Sequence, residues 1–328
     1  MKTHLRKLVS RREFSLLLVL VAIGAIVQWQ NPVFLTAGQI NSILRNYSFM
    51  IMMATGMLMV LLLGGIDISV GSTLALSGMA SALLMRDGII TSGIVAYLFS
   101  IAVGTFCGFL VGLVITKGKV LPIIASLGFM YVFRGMTFFI SDNQWVGTRF
   151  LVPEYLDFSR GSTLGVSNLV WIVLAVYIIV FIVLKWTTFG RQIYAVGSNP
   201  DAAMLSGIRI DRVKLIVYTI NGALAGLAGA MFVGSFASAM NNSAMGMELD
   251  IIAACVIGGA SLNGGQGTVP GILLGGLLIA ILTRSLSLMG IDQFWQQALL
   301  GTVILLAVIA NVIMTRNAAR RNLESRVI

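Results

Sequence analysis

The apolar residues of this chain neither alternate with polar ones nor form a single stripe of an amphipathic helix; they gather in long runs separated by short polar segments. A bilayer core takes about 20 apolar residues of helix. The runs fall at 14–29, 47–63, 68–85, 89–115, 121–141, 168–185, 215–240, 250–262, 269–286 and 294–314. Several are shorter than a full crossing, so some are expected to be broken or only partly inserted. The pattern predicts an all-α polytopic membrane protein with about ten transmembrane helices, built as one membrane domain over 1–328. The first run, behind Lys2, Arg6, Lys7, Arg11 and Arg12, has the outline of a signal peptide, but no small-x-small site closes it before Gln28-Trp29-Gln30. It reads as an uncleaved first span.

Composition removes other classes. Of the 328 residues, 58% are hydrophobic and 10% charged, with a mean hydropathy of +0.95. Soluble domains carry roughly 25% charged residues, which excludes a soluble enzyme, a disordered tail and a nucleic-acid-binding module. The net charge of +10 reflects topology instead, because cations collect in cytoplasmic loops. With the N-terminus inside and each span crossing once, sixteen of the 22 Lys and Arg fall on the cytoplasmic side: five near the N-terminus, Lys117 and Lys119, five within 185–214, and four beyond 315. Arg45, Arg86, Arg149, Arg160 and Arg284 fall outside, and Arg134 lies within a span. Both termini are therefore expected in the cytoplasm. Trp29, Trp171, Trp186 and Trp295 sit near span ends, where interfacial anchoring is their default role. Cys107 and Cys255 lie in apolar runs and imply no disulfide framework. His4 is the only histidine and sits in the basic tail, so no catalytic or metal-binding constellation is visible.

Two hydrophilic segments interrupt the runs, an external loop at 141–167 and a cytoplasmic loop at 186–214. In the second, Asn199 suits a helix N-cap and Pro200 the first helical position. Asp201 complements the positive end of the helix dipole, Ala202-Ala203-Met204-Leu205 propagate the helix, and Gly207 ends it. A cytoplasmic helix of about two turns, between flexible Gly190 and Gly197, is expected, its small residues open to close approach by another protein. An ordinary capped loop helix has the same pattern.

Four stretches together are recognisable. GRxIxAVGSNPxAAxxSGI (190–208) resembles the cytoplasmic loop of permease subunits from bacterial ABC importers of the ribose/xylose/galactose type. GGIDISVGS (64–72), LPIIASLGFMYVFRGMTFFIS (121–141) and GGASLNGGQGTVPGILLGGLL (258–278) resemble further motifs of that family in the expected order, and FWQQALLGTVILLAVI (294–309) fits too. The resemblance covers 31–311. It implies a non-enzymatic permease in the bacterial inner membrane, working with a separate cytoplasmic ATPase, an extracytoplasmic sugar-binding protein and a second copy or paralogue, among membrane lipid. It implies that Gly190, Arg191, Gly197, Asn199, Pro200, Asp201, Ala203 and Gly207 belong to the segment that couples to the ATPase. The substrate implied is a pentose, a hexose or a small polyol such as autoinducer-2. No cofactor is expected on this chain, because its glycine clusters lack a Gly-Lys-Ser/Thr ending and ATP must be bound by the partner.

Pathway candidates come from polar residues in apolar surroundings. Asp67 and Ser69, bracketed by Gly64, Gly65 and Gly71, lie either in a broken helix facing inward or in a solvated cytoplasmic turn. Asn221 is either an interhelical hydrogen bonder or a pathway residue. Arg134 can meet sugar hydroxyls, but its position favours snorkelling or pairing. The glycine stretches at 64 and 258 look alike, yet both follow outward-to-inward spans, which argues against an inverted repeat. An ion-coupled secondary transporter is the competing class; its usual intramembrane ionisable residues are nearly missing.

Overall fold

The computed structural model describes residues 12–292 and, beyond them, 294–299, 301, 302, 305 and 309. Most of the expected span 294–314 and nearly all of both terminal cation clusters lie outside the described residues. The helices are α1 (Arg12–Gln30), α2 (Ala37–Leu62), α3 (Val70–Arg86), α4 (Gly93–Thr116) and α5 (Pro122–Ile140), then α6 (Pro153–Arg160) with a hairpin of β1 (Ser162–Thr163) and β2 (Val166–Ser167). They continue with α7 (Asn168–Trp186), α8 (Thr188–Ser198), α9 (Pro200–Leu205), α10 (Ile210–Phe236), α11 (Met247–Ile257) and α12 (Val269–Leu288). Seven of them, α1, α2, α4, α5, α7, α10 and α12, are long and apolar enough to cross a membrane. α3 has 17 residues and α11 has 11. At 1.5 Å per residue α11 is about 16 Å long, half a bilayer core.

α2 is the hub. Every residue from Ser48 to Leu62 is buried, so the helix has no lipid-facing side over its second half, and α7, α10, α11 and α12 pack around it. Helices gain little from the hydrophobic effect when they leave lipid for one another, so close packing of small residues holds them together. The α4–α10 seam does this with backbone. A Cβ on Gly104 would lie 2.3 Å from the Gly222 carbonyl oxygen, and one on Gly222 would lie 2.3 Å from that of Gly104. Gly108 and Gly226 continue the contact, and the Ser100 hydroxyl donates across it to the Gly226 carbonyl at 2.8 Å.

Several boundaries differ from expectation. α2 begins at Ala37 rather than 47, because Asn41, Ser42, Arg45 and Asn46 form its first turns rather than a loop; the Asn41 side chain accepts from the Ser167 amide at 3.0 Å and so sits under the hairpin. α10 starts at Ile210 instead of 215 and stops at Phe236, where Ala237 turns left-handed (φ 51°). The span expected at 250–262 is the half-length α11, followed by a glycine-rich loop. The segment 141–167, expected as an external loop, is folded: Tyr155 of α6 is fully buried with its hydroxyl donating to the Ala230 carbonyl, and Ser159, one turn on, packs against Gly234.

The ends of the bundle differ in charge. The start of α2, the ends of α3 and α12, and the α6–hairpin segment share one end with Arg45, Arg86, Arg149, Arg160 and Arg284. α8, α9 and the α4–α5 connection share the other, with Lys117, Lys119, Lys185, Arg191, Arg209, Arg212 and Lys214. The Thr268 hydroxyl donates to Glu13 at 3.1 Å, which places the start of α1 at this second end.

Candidate functional site

The α8–α9 pair is built by local capping. Thr187 caps α8, its hydroxyl accepting from the Gly190 amide at 3.1 Å, and Asn199 caps α9, accepting from the Ala202 amide at 3.0 Å. Pro200 follows at the first helical position, Asp201 lies exposed in the first turn, and Gly207 closes α9 with φ +81°. The expected helix is present. A second one, α8, stands where glycine-flanked loop was expected: Gly190 and Gly197 are close-packing sites rather than hinges. A Cβ on Gly190 would lie 2.3 Å from the Val183 carbonyl oxygen at the end of α7. Ala203 is 3% exposed and points into the chain's own core, so the outward face of α9 is Asp201, Ala202, Met204 and Leu205, the last 88% exposed. A cleft of about 800 Å³ opens beside it, lined by Lys117, Arg209, Arg212 and a Lys119–Asp211 ion pair of 2.7 Å.

Beneath α8 three backbone segments meet. α2 stops in a glycine cap: the Gly65 amide donates back to the Val60 carbonyl at 3.1 Å and Gly64 sits at φ +72°. α11 stops the same way, the Ala260 amide donating to the Cys255 carbonyl at 2.9 Å with Gly259 at φ +93°. The loop leaving this second stop returns to the first: the Gly265 amide donates to the Leu62 carbonyl at 2.9 Å. Gly197 of α8 lies over that bond, so close that its Cβ would fall 1.6 Å from the Leu62 carbonyl oxygen. Tyr194 completes the attachment, donating to the Gly267 carbonyl at 2.7 Å. Burial pushes its phenol pKa up from the ordinary value, so it stays a neutral donor.

From this junction the chain runs three residues to Asp67, which is 2% exposed and the only charged residue among the described ones that is buried. The solvated turn is therefore excluded. One carboxylate oxygen accepts from the Ser69 amide (3.0 Å) and hydroxyl (2.6 Å), the other from Asn221 Nδ2 (2.9 Å). Asn221 lies eleven residues into α10, about 16 Å along its axis, so the cluster sits inside the bundle. The Tyr218 hydroxyl and Asn221 Oδ1 are buried beside it without a partner. Asp67, Ser69 and Asn221 are thus brought together, while Arg134 is not with them. Its Nη1 donates to the Asn241 (3.0 Å) and Ser243 (2.8 Å) carbonyls, pinning the segment before α11. Sequence reasoning missed Tyr194, Leu205 and Tyr218; the first two stand within the recognisable loop, and Tyr218 is one turn from Asn221.

Residues 39–308 match the family model described as branched-chain amino acid transport system / permease component. The chain is similar to the ribose import permease protein RbsC of Escherichia coli K12, with 39% identity over 297 residues, 90% of this chain and 92% of the relative. It is 32% identical to the L-arabinose ABC transporter permease protein AraH of Azospirillum brasilense, over 90% of this chain and 86% of that one. It is 33% identical to the autoinducer 2 import system permease protein LsrC of Enterobacter sp. strain 638, over 92% and 87%. No solved structure matches.

Proposed function

The chain belongs to the branched-chain amino acid transport system / permease component family, and from that premise we propose that it is the membrane-spanning permease subunit of an ATP-binding-cassette importer of a monosaccharide. The observation that carries the sugar class is the 39% identity to the ribose import permease over nine-tenths of both chains. The arabinose relative supports a pentose, and the autoinducer 2 relative makes a small polyol the alternative substrate. The protein is a multi-pass protein of the bacterial inner membrane. In this reading about ten spans cross it, both termini are cytoplasmic, and a second copy or paralogue completes the pathway. An extracytoplasmic binding protein delivers the sugar to the side bearing 141–167, and a cytoplasmic ATPase binds the ATP.

The same reading makes 186–214 the coupling segment. The ATPase meets the outward face of α9 and the nearby Arg191. Because α8 rests on the Leu62 carbonyl through Gly197 and on the 259–267 loop through Tyr194, a push on α9 displaces both loops together. The α2–α3 connection then carries the motion to Asp67 and, through Asn221, to α10. In this reading Asp67, Ser69 and Asn221 latch the broken connection beside the pathway, and Arg134 holds the entrance to α11.

Proteoliposomes containing the chain, its ATPase and its binding protein test the assignment. Uptake of labelled pentose, hexose or autoinducer-2 is expected only with ATP and all components. Uptake by the chain alone, without nucleotide and abolished by a protonophore, would overturn it in favour of an ion-coupled transporter, the reading that the buried Asp67 would then serve.

A further inference from the structure

At the end of the bundle away from α8 and α9, a pocket of about 200 Å³ is lined by Arg45, Arg160, Ser42, Ser162 and Ser167, with Asn41 in its wall. No Asp or Glu lines it, and among the described residues neither arginine forms an ion pair. The Nε of Arg45 and the Oγ of Ser167 are buried without a hydrogen-bond partner. Arg45 is partly exposed and Arg160 stands exposed at the rim, but the buried Nε–H of Arg45 left without an acceptor is costly, and an anion in the pocket would satisfy it. Asn41 is already engaged, accepting from the Ser167 amide (3.0 Å) and donating to the Gly165 carbonyl (3.3 Å), so the wall is fixed before anything binds. Two guanidiniums and three hydroxyls offer more donors than the two oxygens of a carboxylate can take, and they suit the tetrahedral oxygens of a phosphate.

A second cavity identifies what carries the phosphate. An apolar groove of about 230 Å³ lies between α2, α7 and α12, toward the membrane interior, lined by Leu44, Ile51, Val170, Leu174, Leu273 and Leu277. Leu44 adjoins Arg45 on α2, and Val170 lies three residues past Ser167, which immediately precedes α7, so the groove starts beside the pocket and continues along α2 and α7. Trp171, with its indole donating to the Thr163 carbonyl at 3.2 Å, marks the interfacial depth between them. We propose that the pocket seats the phosphate of a glycerophospholipid headgroup whose acyl chain occupies the groove. Lipid bound there ties the start of α2 to the hairpin and α7. The inference rests on the membrane-spanning fold and on nothing about sugar or ATP.

The full chain, purified in detergent, is examined by native mass spectrometry and thermal unfolding with dioleoyl phosphatidylglycerol, dioleoylglycerol or inorganic phosphate. Phosphatidylglycerol is expected to stay bound and raise Tm, and the other two to do neither. Arg45→Gln with Arg160→Gln is expected to weaken retention by about tenfold or more. Ser167→Ala, which removes one donor and no charge, should weaken it by a few-fold while leaving the lipid-free Tm unchanged, and so reads the site even if the double variant misfolds. An equal shift with inorganic phosphate, equal binding of dioleoylglycerol, or retention indifferent to the arginine and serine changes would overturn the proposal. So would arginine variants that keep their lipid and lose only the binding protein, which would make a protein carboxylate the occupant. The lipid-retention and Tm readouts need no partner subunit, so failure of the importer reading leaves them intact.

Discussion

Replacing Gly197 by alanine is the smallest change that tests how α8 is attached. The added methyl would stand 1.6 Å from the Leu62 carbonyl oxygen and 2.8 Å from the Gly265 nitrogen. Ordinary contact begins at 3.4 Å, so the gap to Leu62 has to open by roughly 1.8 Å. Neither neighbour can give as a flexible side chain would, because both are backbone atoms joined to each other by the 2.9 Å bond from Gly265 to Leu62. Overpacking of this kind costs about 1–3 kcal/mol, and loss of that hydrogen bond adds about 1 kcal/mol. A local destabilisation of about 2–4 kcal/mol is expected, which is about 30-fold or more in the opening equilibrium of the junction. Hydrogen exchange reads it directly: the amides at 264 and 265 should exchange faster by that factor, while those in the α4–α10 seam should not. In the assembled importer the same variant should keep its ATPase bound but lose stimulation of ATP hydrolysis by the loaded binding protein. Gly207→Ala is the control, since nothing lies within 4 Å of its Cβ position and only the left-handed backbone, about 1 kcal/mol, is at stake. Wild-type exchange at 264 and 265 in Gly197→Ala would refute the attachment.

Other consequences follow from the same geometry. Leu205→Glu, on an exposed side chain, should abolish co-purification of the ATPase with Tm unchanged, whereas Ala203→Asp, on a buried one, should lower Tm as well; equal effects would mean that the two faces of α9 are misassigned. Asp67→Ala strands three donors and should cost about 2–4 kcal/mol in unfolding assays. Asp67→Asn should cost under about 1 kcal/mol, because Asn221 can turn its unpartnered Oδ1 toward the new amide; comparable losses for both variants would count against that rescue. Arg134→Ala should expose 240–246 to protease and hydrogen exchange without loosening the α4–α10 seam, and an unaltered cleavage pattern would deny Arg134 its anchoring role.

What the sequence disclosed and what it hid divide along the distance over which each feature is encoded. The capping of α9 is written in neighbouring residues, Asn199, Pro200 and Gly207, so it could be read directly. Its orientation could not, because six residues are too few to show a periodicity, and Ala203 therefore passed for a contact residue. Gly190 and Gly197 looked like flexible joints because a glycine required by a carbonyl from elsewhere is spelled like one required by a turn. The start of α2 was hidden for the opposite reason: polar side chains normal for a loop are used there to line the hairpin and its pocket. Asp67 had two readings of equal weight because the partner that decides between them, Asn221, is 154 residues away.

The likeness of the two glycine stretches has its explanation in the junction. Each ends a helix with the same cap, and α2 and α11 arrive at the same end of the bundle, so the stretches share a local device and a direction; an inverted repeat would send them to opposite ends. Their function depends on what they leave out. A contact between side chains absorbs a displacement by changing rotamers, whereas one between carbonyl, amide and Cα has no such freedom. Where Gly197 meets the Leu62 carbonyl and the Gly265 nitrogen, and where Gly264 meets Gly64, the facing atoms are backbone, with the Ser198 and Tyr194 side chains flanking the contact. In the coupling proposed above, a push on α9 reaches the connection to Asp67 through these backbone contacts. Rigidity at the surface and a break within the bundle are complementary requirements, and glycine supplies both, by close approach at Gly197 and by a left-handed backbone at Gly64.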